Sequence, residues 1–162
     1  MTFKHFILGL TLGISLSFIS WIIGMIINGI LVKTEFYKKI SNINIIHSKT
    51  INKRIGIDNF KWIVKNTFFK FFNQKINLKN KKTELSVIRK EMTIAEISHL
   101  IGFLFVTFVA IYKSITDNYL IGLGIMIVNI LMNLYPSLLQ QKNKRRIDKL
   151  IRRQIKPVAH NS

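Results

Sequence analysis

Phe6 to Val32 is a run of 27 residues with no charged side chain. A helix needs about 20 apolar residues to cross the hydrocarbon of a bilayer, and there the backbone must satisfy its own hydrogen bonds. Such a run therefore reads as a transmembrane helix. A cleaved signal peptide competes with that reading. It is disfavoured because the run is too long, no small-x-small cleavage site stands out, and only Lys4 precedes it as a fixed positive charge. A second run, Asn118 to Gln141, has 24 uncharged residues. A third apolar stretch, Leu100 to Tyr112, has only 13. A helix crossing there must start near Ile94, which gives 19 residues and draws Glu96 and His99 into the bilayer or its inner interface.

The basic residues are segregated from these runs. One lysine precedes the first, fifteen Lys and Arg lie in 33–93, only Lys113 lies between the second and third spans, and eight follow Gln141. Cytoplasmic loops carry the lysine and arginine excess. The pattern predicts a multi-pass protein of the cell membrane, with its N-terminus outside and its C-terminus cytoplasmic. The expected fold is an all-α integral membrane protein with about three transmembrane helices, a basic amphipathic interfacial helix and a basic C-terminal helix. It forms a single membrane domain over 1–162: span one at about 6–32, a cytoplasmic interfacial segment at 33–93, a helical hairpin of spans at about 94–112 and 118–141, and a basic tail at 142–162. Within the cytoplasmic segment, Phe60, Ile63, Val64, Phe68, Phe71 and Phe72 fall near one helix face, with Lys61, Lys65, Lys70 and Lys75 elsewhere. That pattern suits a helix lying on anionic lipid. A soluble amphipathic helix packed on a neighbour is the alternative.

The short hairpin turn sets depths. Its centre lies between Ile115 and Thr116, so His99 comes level with Met132, and Glu96 with Tyr135. Span three carries Asn129, Asn133, Tyr135, Pro136 and Gln140 around that level. Pro136 cannot donate to the Met132 carbonyl, which kinks the helix and frees an acceptor. Polar side chains inside a membrane are costly and tend to face the bundle interior. Glu96 and His99 are three apart and share a helix face. A histidine can take a proton from a hydroxyl, a carboxylate beside it can orient the ring or steady its cation, and Asn133 can hold a hydroxyl or donate to a developing oxyanion. The alternative is that Glu, His and Asn only lock helices together. Glu91 reads as a solvated charge at a helix start.

The tail is basic with an apolar edge of Ile147, Leu150, Ile151 and Ile155, which suits topology and anionic lipid. Lys144, Arg145 and Arg146 could also meet the phosphates of a nucleotide-containing donor. Membrane-bound charge fits nucleic acid poorly, so no nucleic-acid partner is expected. With no cysteine and four scattered histidines, neither a metal site nor a thiol nucleophile is expected. There is no H-x4-D pair, G-x-S-x-G elbow or glycine-rich phosphate loop. Group transfer here would be direct and base-catalysed, with no enzyme-bound intermediate.

The stretch "EMTIAEISH" resembles the E-x3-A-E-x2-H pattern of the glycosyl-4,4'-diaponeurosporenoate acyltransferases of staphyloxanthin-type carotenoid biosynthesis, through Glu91, Ala95, Glu96 and His99. "NLYPSLLQQKNKRRI" is similar to the family's N-x-Y-P-x3-Q-R-Y-N-R-x-R, through Asn133, Tyr135, Pro136, Gln140, Asn143 and Arg146. "RIGIDNFKW" resembles its short cytoplasmic motif, and Trp21 and Asn28 suit its first span. The chain departs from the pattern at Gln141, Lys142 and Arg145, where Arg, Tyr and a frequent Pro would stand.

The resemblance implies an acyltransferase that moves a fatty acyl group onto a sugar hydroxyl of a glycosylated carotenoid or similar membrane glycolipid. The expected catalytic residues are His99, Glu96 and Asn133, and the expected substrate-binding residues are Glu91, Tyr135, Gln140, Asn143, Lys144 and Arg146. No cofactor is implied. The partners are membrane lipid, the lipid-like glycosylated acceptor, and an acyl donor that is acyl-CoA or acyl carrier protein. Three spans enclose little, which suits a homo-oligomer. The competing reading is a non-catalytic membrane scaffold or accessory subunit of a lipid-modifying complex. A small transporter fits less well, because no polar stripe runs the full depth of any span.

Overall fold

The computed structural model describes residues 2–42, 45–46, 48–67 and 83–155. Among them the fold is all helix: α1 (Thr2–Leu31), α2 (Glu35–Ile40), α3 (Lys49–Arg54), α4 (Ile57–Asn66), α5 (Thr83–Thr116), α6 (Tyr119–Asn129), a π-helical turn (Ile130–Leu134) and α7 (Tyr135–Ile155). Three helical stretches are long and apolar enough to cross a membrane, Phe3–Leu31, Leu85–Thr116 and Tyr119–Arg153. Their apolar windows are mostly outward-facing, with Phe18, Ile26, Phe108 and Ile115 exposed. A surface this apolar suits lipid rather than water, which points to a multi-pass membrane protein.

The chain forms two compact units, Met1–Ile43 with Ala95–Ser137, and Asn44–Ile94 with Leu138–Ser162. The first is a three-helix bundle. Its apolar centre is Val106, Ala110, Ile121 and Ile125, flanked by Leu12, Leu16, Phe105 and Met126. Along α1, Gly9 meets Ile121 and Gly13 meets Ile125, so α1 and α6 run parallel. Gly24 meets Ser98, whereas Ser20 lies by Gly102, so α5 runs the other way. Successive crossings of a membrane alternate in this manner.

Glycine makes these crossings close. A methyl placed at Gly124 would lie 2.8 Å from both Leu10 N and Phe6 O of α1. Gly122 faces the Ala110 carbonyl of α5, and Gly24 the Ser98 carbonyl. All three helix pairs thus touch backbone to backbone. That is how helices associate when lipid offers no hydrophobic drive between them. At the turn, Asn118 Oδ1 accepts from Leu120 N at 2.9 Å and starts α6, while Lys113 pairs with Asp117 at 2.9 Å.

The second unit packs Ile57, Leu85, Leu138, Leu139 and Ile147 as its buried apolar residues. α4 begins where Gly56 takes a left-handed φ of 71°, a conformation glycine adopts without strain. Arg89 pairs with Asp148, and Lys142 with Asp58.

Two boundaries differ from the sequence reading. The second spanning helix starts at Thr83 rather than near Ile94. A helix need not stop where charge begins, and Arg89 within this extension finds its carboxylate on α7 in Asp148. The amphipathic helix ends at Asn66, with Thr67 extended beyond it, and Trp62 and Ile63 exposed. Phe68, Lys70, Phe71, Phe72 and Lys75 lie outside the described residues.

Gly124→Ala should drive a methyl into the α1 backbone and lower the melting temperature of the detergent-solubilised protein by several degrees. Gly29→Ala meets open space. As a helix-interior exchange it should be neutral or add up to about 1 kcal/mol. Paired melting curves check this, and equal effects at the two sites would contradict it.

Candidate functional site

On α1 the residues Ser17, Ser20, Gly24 and Asn28 recur at spacings of three and four, so they line one face. Ser17, Ser20 and Asn28 are buried. Ser17 Oγ donates to Gly13 O at 2.8 Å and Ser20 Oγ to Ser17 O at 2.9 Å, which satisfies their protons within the helix. Asn28 Nδ2 donates to Ser98 Oγ of α5 at 3.0 Å.

Across from this face, Pro136 removes a helix donor. The chain answers by widening one turn: Tyr135 N donates to Ile130 O, five residues back. Such π-turns are frequent at functional sites. Asn133 sits in this turn and is 2% exposed. Its Nδ2 donates to Asn129 Oδ1 at 2.9 Å and to Ser20 Oγ at 3.2 Å. Asn129 Nδ2 donates in turn to Phe103 O at 3.0 Å and Thr107 Oγ1 at 3.1 Å.

The Asn133 side chain is also hydrogen-bonded to the His99 imidazole. Both Nδ2 protons of Asn133 are already directed elsewhere, so Oδ1 is its atom for the ring. His99 Nδ1 is buried and has no partner among the described residues. The ring proton therefore belongs on the nitrogen facing Asn133, and Nδ1 keeps its lone pair. The arrangement rests on bare backbone: a methyl at Gly102 would lie 3.1 Å from both Asn133 Oδ1 and Ser20 Oγ.

Glu96 is 2% exposed. Its charge acts on Tyr37 of α2, which Thr34 fixes by accepting from Tyr37 N at 3.3 Å. Burial chiefly raises the Tyr37 phenol above its ordinary value. The nearby Asn28 amide, which makes no well-formed bond to the phenol, opposes this, and the Glu96 charge adds to it. Tyr37 is thus a protonated donor at physiological pH, and its Oη is buried with no partner in good hydrogen-bond geometry. Tyr135 belongs to the same unit and is half-buried.

Glu91, Gln140, Asn143, Lys144 and Arg146 belong to the second unit. Glu91 and Arg146 are exposed, Gln140 and Asn143 half-buried, and Lys144 is 2% exposed. Gln141 Oε1 accepts from Ile45 N at 3.1 Å. The bond from Lys142 chiefly holds the Asp58 carboxyl below its usual range, and the charges of Lys61 and Arg146 add to this. Burial first, then the charges of Arg146, Lys65 and Lys142, lower the Lys61 ammonium. Lys61, Lys142 and Arg146 thus crowd round one carboxylate, and such a cluster attracts anions.

The structure brings His99 and Asn133 together and adds four residues that the sequence reading did not use: Ser20, Ser98, Tyr37 and Ser137. A small-polar stripe at Ser17, Ser20, Gly24 and Asn28 inside an uncharged run is the signal that could have flagged the first. Tyr37 carries no local signal, because its neighbours come from α1 and α5.

A family model described as glycosyl-4,4'-diaponeurosporenoate acyltransferase matches residues 33–153. The match covers Tyr37, Glu96, His99, Asn133 and Ser137, and begins after Ser20 and Asn28. No curated protein and no solved structure matches.

Asn133→Ala removes one node from three bonded groups. Side-chain bonds inside membrane bundles are worth about 0.6 to 1.7 kcal/mol each. The variant should therefore melt several degrees lower in detergent, while Ser15→Ala, at an exposed position, should leave the melting temperature unchanged. Indistinguishable curves would show that the network carries no load.

Proposed function

The chain belongs to the glycosyl-4,4'-diaponeurosporenoate acyltransferase family, an acyltransferase family acting on carotenoid glycosides, and from that premise we propose that it transfers a fatty acyl group to a sugar hydroxyl of a glycosylated carotenoid dissolved in the membrane. The supporting observation is His99 Nδ1, buried and unpartnered beside an asparagine that is itself held by two further side chains.

In the proposed reaction His99 Nδ1 takes the proton of the acceptor hydroxyl as its oxygen attacks the thioester carbonyl of the donor. The C–S bond breaks, the new C–O ester bond forms, and the departing thiolate takes the proton back from the imidazolium. Asn133 orients the ring through its carbonyl. Glu96, three residues before His99, supplies the negative charge that steadies the cation. The thioester is that of acyl-CoA or acyl carrier protein. Phosphates of such a donor find cations at Arg146 and its neighbours Lys61 and Lys142, and Lys144 is a further proposed contact. Glu91, Tyr135, Gln140 and Asn143 are the remaining proposed substrate contacts. The charge blocks support a cytoplasmic C-terminus, on the side where such donors are found, with the N-terminus outside.

Transfer of labelled acyl groups from acyl-CoA to glycosyl-4,4'-diaponeurosporenoate in vesicles, normalised to folded protein, tests this. His99→Ala should lose about 100- to 10,000-fold in rate with normal insertion. Specific activity near the parent's would overturn the catalytic assignment and leave a scaffold role.

A further inference from the structure

Within the first unit, the buried side-chain atoms with no hydrogen-bond partner in good geometry among the described residues include His99 Nδ1, Tyr37 Oη and Ser137 Oγ. The proposed reaction uses the first. The two hydroxyls remain, and each is unusual in its place.

A hydroxyl inside a helix ordinarily donates to the carbonyl three or four residues back. Thr11, Ser15, Ser17, Ser20, Thr107 and Thr116 all do so here. Ser137 does not, although it is 0% exposed. It follows the π-helical turn, where the carbonyl spacing behind it is disturbed. Burying a polar group with no bond costs free energy, so such a group calls for a reason. Tyr37 repeats the anomaly from α2: burial keeps its phenol protonated, and it still lacks a well-placed acceptor.

Their placement is informative. Asn129 meets Phe103 and Asn133 meets His99, which fixes the hairpin register. One turn further, Ser137 comes level with Ala95 and Glu96. Ser137 is four residues from Asn133 on the same face, a rise of about 6 Å. Glu96 in turn lies close enough to act on Tyr37. Two neutral hydroxyls and a base within one unit offer the kind of uncharged hydrogen-bond partners that a sugar ring takes. They would make a poor phosphate site, since neither hydroxyl carries charge.

We propose that Tyr37 and Ser137 are acceptor-binding residues that hold the sugar ring by hydrogen bonds and so set which sugar hydroxyl meets His99. The proposal rests on the acyl-transfer reading above.

The test uses Tyr37→Phe and Ser137→Ala in the full chain. Each should raise KM for glycosyl-4,4'-diaponeurosporenoate by about three- to tenfold, the worth of one hydrogen bond, while KM for acyl-CoA stays within twofold. Measured without acceptor, neither variant should melt below the parent, because neither hydroxyl makes a well-formed hydrogen bond within the protein. An unchanged acceptor KM overturns the proposal. So does a lower melting temperature or failure to accumulate, either of which would mean that the hydroxyls hold the fold. Binding of an alkyl β-glucoside, titrated in a sugar-free detergent, is followed separately. A protein inactive on the carotenoid would sink the acyl-transfer reading, and glucoside binding weakened by both substitutions would still support the sugar site. Glucoside binding that is absent, or unchanged in the variants, would overturn the sugar site even where His99→Ala abolishes transfer.

Discussion

Helices surrounded by lipid gain nothing from hiding apolar side chains from one another, so this bundle depends on close backbone approach. Gly124 against α1, Gly122 against α5, and Gly24 against Ser98 provide that approach at each of the three helix pairs. The same closeness lets short polar side chains reach across. Ser20, Asn28, Ser98, Asn129 and Asn133 bond between helices without long, flexible arms. Gly102 completes the arrangement, since even a methyl there would crowd Asn133 and Ser20, at 3.1 Å from each. The polar interior follows from the glycines, and the position of His99 follows from the polar interior.

The network also has a direction. Phe103 O and Thr107 Oγ1 engage Asn129, whose carbonyl engages Asn133, whose carbonyl is left for the imidazole. Hydrogen bonds in series polarise one another in a low-dielectric setting. In the proposed reaction this fixes one ring nitrogen as a donor and leaves the other as the base, a role that in many sites falls to a carboxylate. The charge of Glu96 acts on Tyr37. A membrane-dissolved acceptor suits such an arrangement, because its sugar can enter a polar interior while its polyene stays among the exposed apolar side chains of the helices.

Much of this was legible in the chain. Charge-free runs marked two of the spanning helices, because hydrocarbon excludes charge over a set length, and that length drew the third back through Glu96. The meeting of His99 with Asn133 was legible to within a residue, because a short turn makes depth on one helix a reflection of depth on the other. Local chemistry also flagged Pro136, yet only the lost donor could be read. How the helix rebonded, as a π-turn holding Asn133, depended on neighbours. The start of α5 at Thr83 was hidden because charge marks the edge of lipid and not the end of a helix. Tyr37 was hidden because Glu96, which acts on it, lies some 60 residues away in sequence. The burial of Lys144 was hidden for a related reason: a basic run does not say which of its members faces inward.

The central claim is that the sugar of the acceptor enters the polar interior formed by α1, α5 and the π-turn. The most direct measurement is photocrosslinking in vesicles, using a glycosylated carotenoid with a diazirine on its sugar and peptide mass spectrometry as the readout. The account predicts adducts on segments containing Ser20, His99 and Asn133. Adducts confined to outward-facing residues such as Phe108 and Ile115, with none on the interior segments, would contradict it.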